Sequence, residues 1–154
     1  SGTFSSKIDF PVLANPQELH YADFDQDGKL DIAIANGSNN SFSVFRNLSV
    51  RGTLSTESFG GRVDYLTSAI QNSLSVADMD GDNLMDIIYI NGNNVCIARN
   101  TGIVGTITSV SFASGICYLS GTGGRFIAIS DMDRDGKLDM TVTNTTSANV
   151  SGFR

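Results

Sequence analysis

Apolar and polar residues alternate along this chain in short runs, and no stretch sustains the 3.6-residue period of a helix. Three times an apolar approach, at 19–22, 74–77 and 127–129, runs into an aspartate-rich loop. A second strand follows each loop. Ile32 and Ile34, Ile87 and Tyr89, and Met140 and Val142 share one face of it. Ala33 and Ala35, Ile88 and Ile90, and Thr141 and Thr143 share the other. Small or apolar residues on both faces predict a strand buried between two layers. Asn/Gly turns at 36–40 and 91–94 then lead to a third strand, such as 42–46. A polar linker precedes a fourth, at 59–65 or 112–118. The expected fold class is all-β, built as β-propeller blades of four antiparallel strands, three blades per chain.

The units are copies of one another. Their first loop aspartates, Asp23, Asp78 and Asp131, lie 55 and 53 residues apart, a period typical of propellers and solenoids. Phe4, Phe59 and Phe112 are equivalent, each four residues before Ile8, Val63 and Ile116. Asp9, Asp64 and Cys117 each precede the first loop aspartate by 14 residues. Arg46, Arg99 and Arg154 follow it by 23, 21 and 23 residues, closing the third strand. One repeat domain, 1–154, therefore holds units at 19–65, 74–118 and 126–154, the last completed by a strand at 4–10. Propellers close with roughly four to eight blades. Three blades imply either a homodimer forming a six-bladed ring, each copy lending its first strand to the other, or a fragment of a larger propeller.

Charge concentrates where the repeats are most alike. The loops read DFDQDGKLD (23–31), DMDGDNLMD (78–86) and DMDRDGKLD (131–139), and they hold twelve of the sixteen acidic residues. Four carboxylates about 5 Å apart repel by roughly 0.8 kcal/mol per pair even in water, or on the order of 5 kcal/mol per loop. A hard dication reverses that sign, and three would cancel the net charge of −6 (−6 + 3 × 2 = 0). Carboxylates at loop positions 1, 3, 5 and 9 around a tight turn are oxygen ligands for calcium. An EF-hand would need glutamate at position 12, where Ile34, Tyr89 and Val142 stand, so that loop type is excluded.

The segments LHYADFDQDGKLDIAIANGSNNSFSVFRN, LSVADMDGDNLMDIIYINGNNVCIARN and IAISDMDRDGKLDMTVTN resemble FG-GAP/VCBS-type repeats, the blades of integrin-α-like propellers. The resemblance covers essentially the whole chain. It implies calcium, about three ions per chain, held by Asp23, Asp25, Asp27 and Asp31; by Asp78, Asp80, Asp82 and Asp86; and by Asp131, Asp133, Asp135 and Asp139. The backbone carbonyls of Lys29, Leu84 and Lys137 would add position 7. The second loop departs from the pattern, with Asn83 where the others have Gly28 and Gly136. Asparagine is the next most tolerant residue of a left-handed backbone, so that loop is expected to bind, more weakly.

Aligned by repeat, Cys96 and Cys117 fall opposite each other on neighbouring strands, where the first unit has Ser43 and Asp64 and the third has Ser151 with Asp9. A cross-strand pair that changes together predicts a disulfide and an oxidising compartment. The lone His20, equivalent to Ser75 and Ala128, has no recurring nucleophile or base near it and reads as a packed or channel-facing residue. Sequons at Asn36, Asn39, Asn47, Asn144 and Asn149 read first as turn chemistry. No basic patch points to nucleic acid and no apolar stretch to membrane insertion. The expected role is a non-catalytic, extracellular or cell-surface module for adhesion or for binding a protein or glycan ligand. A lectin, with Tyr65, Tyr118 and Phe10 as repeated platforms, and a structural accessory fragment of a larger secreted protein are the alternatives.

Overall fold

The computed structural model describes residues 6–69 and 73–154. Its strands are β1 (Pro16–Ala22), β2 (Asp31–Asn36), β3 (Ser41–Phe45), β4 (Val63–Leu66), β5 (Leu74–Ala77), β6 (Asp86–Asn91), β7 (Asn94–Ala98), β8 (Ile116–Leu119), β9 (Gly124–Ser130), β10 (Asp139–Asn144) and β11 (Asn149–Phe153). They form three antiparallel sheets, ordered β1-β2-β3-β4, β5-β6-β7-β8 and β11-β10-β9. Each acidic loop joins the first two strands of a sheet. The described residues contain no helix and no closed barrel or ring.

Burial follows the two-faced pattern of the second strands. Every residue of β6 is buried. Ile87 and Tyr89 join Phe42, Val44, Tyr65 and Phe112 in the core between the first and second sheets. Ile88 and Ile90 join Val95, Met140 and Val142 between the second and third. Ala33 and Ala35 contribute small residues to the first core, beside its aromatic group. Phe42 stacks on Tyr65 at 4.9 Å, and Phe112 meets Phe24 and Tyr65 edge-on at 5.5 and 5.1 Å. Each such pair adds about 0.5–1.5 kcal/mol beyond the area it buries.

The predicted fourth strands at 59–65 and 112–118 are shorter than expected. β4 and β8 begin at Val63 and Ile116, and the backbone at Phe59 and Phe112 pairs only through single bridges to Asn47 and Asn100. Gly60, Gly61 and Gly115 lie in the gaps, and glycine weakens a strand. In the strand predicted at 4–10, residues 6–10 make no ladder, while Phe4 lies outside the described residues. The segment instead rests on the first sheet, Phe10 meeting Phe59 at 5.0 Å. Among the described residues the third sheet accordingly has three strands, with β11 at its edge.

Cys96 and Cys117, opposite in the β7–β8 register, are joined by a disulfide with Cα atoms 4.0 Å apart. In the same register of the first sheet, the Ser43 hydroxyl donates to Asp64 at 2.5 Å. Burial alone pushes Asp64 up. The Arg62 hydrogen bond, the Ser43 hydroxyl and the Arg62 charge together hold it below the usual carboxylate value.

Candidate metal centres

Local sequence dictates the loop shape. Left-handed φ values occur at position 4 (Gln26, Gly81, Arg134) and at position 6 (Gly28, Asn83, Gly136) of every copy. These two reversals turn successive amides back onto the first carboxylate. Asp23 Oδ1 accepts from Asp27 N at 3.0 Å and Oδ2 from Gly28 N at 2.9 Å. Asp78 accepts from Asp82 N at 3.1 Å and Asn83 N at 2.8 Å. Asp131 accepts from Asp135 N at 3.1 Å and Gly136 N at 3.0 Å. The fifth-position carboxylates of Asp27, Asp82 and Asp135 take the amides of Lys29, Leu84 and Lys137 at 2.8–3.0 Å. Asn83, at φ 68°, adopts the conformation that Gly28 and Gly136 adopt at 85° and 86°. Asn83→Gly is therefore expected to stabilise the second loop, by under about 1 kcal/mol, read as a higher urea midpoint at unchanged slope.

The ninth-position aspartates are a buried scaffold. Asp31 Oδ2 accepts from Phe24 N at 3.0 Å and Oδ1 from Asn47 N at 2.7 Å. Asp86 accepts from Met79 N at 3.0 Å and Asn100 N at 2.8 Å. Asp139 accepts from Met132 N at 2.8 Å. Each thereby ties its loop to the strand that follows it, and the first two reach on to the end of the third strand. Burial pushes Asp31 up to about 6, against the lowering effect of its two backbone bonds, and raises Asp86 in the same way.

In each loop three carboxylates offer oxygens within 4.8 Å of one another: Asp23, Asp25 and Asp27; Asp78, Asp80 and Asp86; Asp131, Asp133 and Asp139. Asp31, Asp82 and Asp135 are the expected ligands outside these groups. The donor set fits a hard dication. It is all oxygen, and an ionised carboxylate has about four lone-pair sites, so one or two N–H bonds do not exhaust it.

The strand-closing arginines reach these same loops, a role that sequence reasoning missed. Arg46 Nε donates to Asp25 at 2.5 Å and Nη2 to Asp27 at 2.9 Å. Arg99 pairs with Asp80, and Arg154 Nε with Asp133 at 2.8 Å. Each guanidinium removes one unit of repulsion from a four-carboxylate loop and grips the third-position oxygens from outside. The signal was available: a cation recurring at nearly constant distance from the first aspartate belongs to that aspartate's environment. Asn47 and Asn100, next in sequence, add side-chain bonds to Leu30 O at 2.8 Å and to Phe24 O at 2.8 Å, the latter across the sheet interface.

Several other expected features lie elsewhere. His20 is half-buried on β1 with Glu18 at 3.5 Å. Tyr65 is buried, its hydroxyl donating to Thr108 O at 2.5 Å, so it presents no platform to a sugar. Asn36 and Asn144 are buried at strand ends, bonded to Ser43 and Ser151, which closes those two sequons to modification.

The molecule is thus an all-β repeat protein whose stacked antiparallel sheets each carry an acidic loop at the first hairpin. The FG-GAP-like repeat family model matches residues 23–89 and 78–142, and the chain belongs to that family. No curated protein matches it significantly.

Proposed function

We propose that the chain is a calcium-stabilised, non-catalytic propeller module that binds a ligand outside the cell. The observation that carries this reading is the threefold recurrence of one loop geometry, with three carboxylates converging to within 4.8 Å in each copy of a family-matched repeat. In it, Asp23, Asp25 and Asp27, Asp78, Asp80 and Asp86, and Asp131, Asp133 and Asp139 hold calcium directly, with the carbonyls of Lys29, Leu84 and Lys137 completing the shell. The ninth-position aspartates also fix each loop to its sheet through their amide bonds, and the arginines hold the third-position carboxylates in place. Bound calcium supplies the charge that lets these loops stay compact.

On this reading the ions are structural, and recognition falls to the loops between sheets. The Cys96–Cys117 bridge suits an oxidising compartment, and no helix among the described residues is long and apolar enough to cross a membrane. The test is a binding screen of the intact chain against extracellular-matrix proteins and glycans, in calcium and in EGTA. Binding that is lost in EGTA is expected. Binding indifferent to EGTA, with the metal shown to be gone, would overturn the coupling of calcium to recognition.

A further inference from the structure

Among the described residues, the third sheet has no counterpart of β4 and β8, and residues 6–10, which join no sheet, make the contacts of that strand. In the first core, Tyr65 of β4 meets Phe112 of the next sheet at 5.1 Å with rings at 86°. Phe10, the repeat equivalent of Tyr65, meets Phe59, the equivalent of Phe112, at 5.0 Å and 87°. The Arg62 Nε–Asp64 pair at 2.6 Å also recurs two residues apart in the segment, as Lys7 Nζ–Asp9 at 2.6 Å. The segment therefore stands against the first sheet as β4 stands against the second. In its own copy the sheet with the matching open edge, at β11, lies at the other end of the stack.

We propose that residues 4–10 of a second copy add to β11, reciprocally, so that two chains close one six-bladed ring by strand exchange. This goes beyond the calcium reading and does not require it. By the register of β3 with β4 and β7 with β8, Phe10 falls opposite Val150, Asp9 opposite Ser151 and Ile8 opposite Gly152. The acceptor side is also prepared. A cleft of about 200 Å³ between the second and third sheets is lined by Met79, Tyr118, Met140 and Phe153. Met79 and Tyr118 are the repeat equivalents of Phe24 and Tyr65, the edge-on partners of Phe112. Phe4, the equivalent of Phe112, is the side chain that the cleft would receive; an apolar cavity of about 150 Å³ is already enough to hold benzene. Ring closure would also bring together Tyr21 on the free face of the first sheet and Phe126 and Val150 on that of the third, exposed at 57%, 60% and 64%. A two-fold axis makes both exchanges identical.

Two measurements test this. Light scattering on the eluting protein should give twice the 16.4 kDa chain mass; a monomer mass at micromolar concentration would overturn it. Asp9→Cys combined with Ser151→Cys places thiols in the register that Cys96 and Cys117 occupy in the second sheet. Refolded as a mixture of ¹⁵N-labelled and unlabelled chains and then oxidised, this variant should yield a peptide bridging positions 9 and 151 with mixed isotopes. Free thiols at both positions, or a bridge confined to one isotope, would refute the exchange even if the chain dimerises by another surface.

Discussion

Stripping calcium with EGTA is expected to lower the melting temperature at pH 7.5 by roughly 15–30 °C, reversibly on adding calcium back. A site held at about 100 times its dissociation constant contributes about 2.7 kcal/mol, so three contribute about 8. At about 2–4 °C per kcal/mol for a chain of this size, that range follows. Acidity gives the experiment a second arm. Asp31 has its carboxyl raised from 3.8 to about 6, and Asp86 is raised as well. Between about 3.8 and 6 the native, metal-free chain therefore binds protons more tightly than the unfolded one, and its stability falls as pH rises through that window. Asp64 is lowered and acts with the opposite sign, but its window lies below 3.8, outside this comparison. In EGTA the protein should melt higher at pH 5 than at pH 7.5. In calcium the order should reverse, because the ion needs the carboxylates deprotonated. A melt unchanged by EGTA, with the metal shown to be removed, would contradict the assignment.

The second large effect separates a carboxylate that also serves as scaffold from one that only faces the ion. Asp86→Ala in EGTA should destabilise the chain by about 2–4 kcal/mol, since the amides of Met79 and Asn100 lose their acceptor. Asp80→Ala under the same conditions should change stability by only about 0.5 kcal/mol, because its pair with Arg99 is partly exposed. In calcium both variants should lose the second site. Urea melts in EGTA and in calcium measure the four values. Equal losses for the two variants in EGTA would show that the ninth-position aspartate has no scaffold role.

Most of this architecture could be read from the chain before any coordinates, because repetition let each unit check the others. The two-faced apolar pattern at Ile87–Ile90 is matched by a strand buried on both sides, and the Asn83 substitution by a left-handed backbone. Other features followed contacts that no local pattern encodes. The fourth strands shrank where Gly60, Gly61 and Gly115 interrupt them. The division of labour among the aspartates depends on which amides come within reach. At Asp31 these belong to Phe24 and to Asn47, sixteen residues away. The reach of Arg46 back to Asp25 likewise depends on how β2 and β3 pair. Tyr65 and Tyr118 are equivalent in sequence, yet one is buried and the other exposed, because Tyr65 packs on Phe112 of the next unit and, among the described residues, the third sheet brings no equivalent of that ring to Tyr118.

The central claim is that the three acidic loops are calcium sites, and calorimetric titration of calcium into metal-free protein tests it most directly. The expected result is a fitted stoichiometry near three per chain, with the second loop the weakest, falling to near two for Asp25→Ala. A chain that takes up no calcium at millimolar concentration, or an Asp25→Ala variant with unchanged stoichiometry, would contradict it.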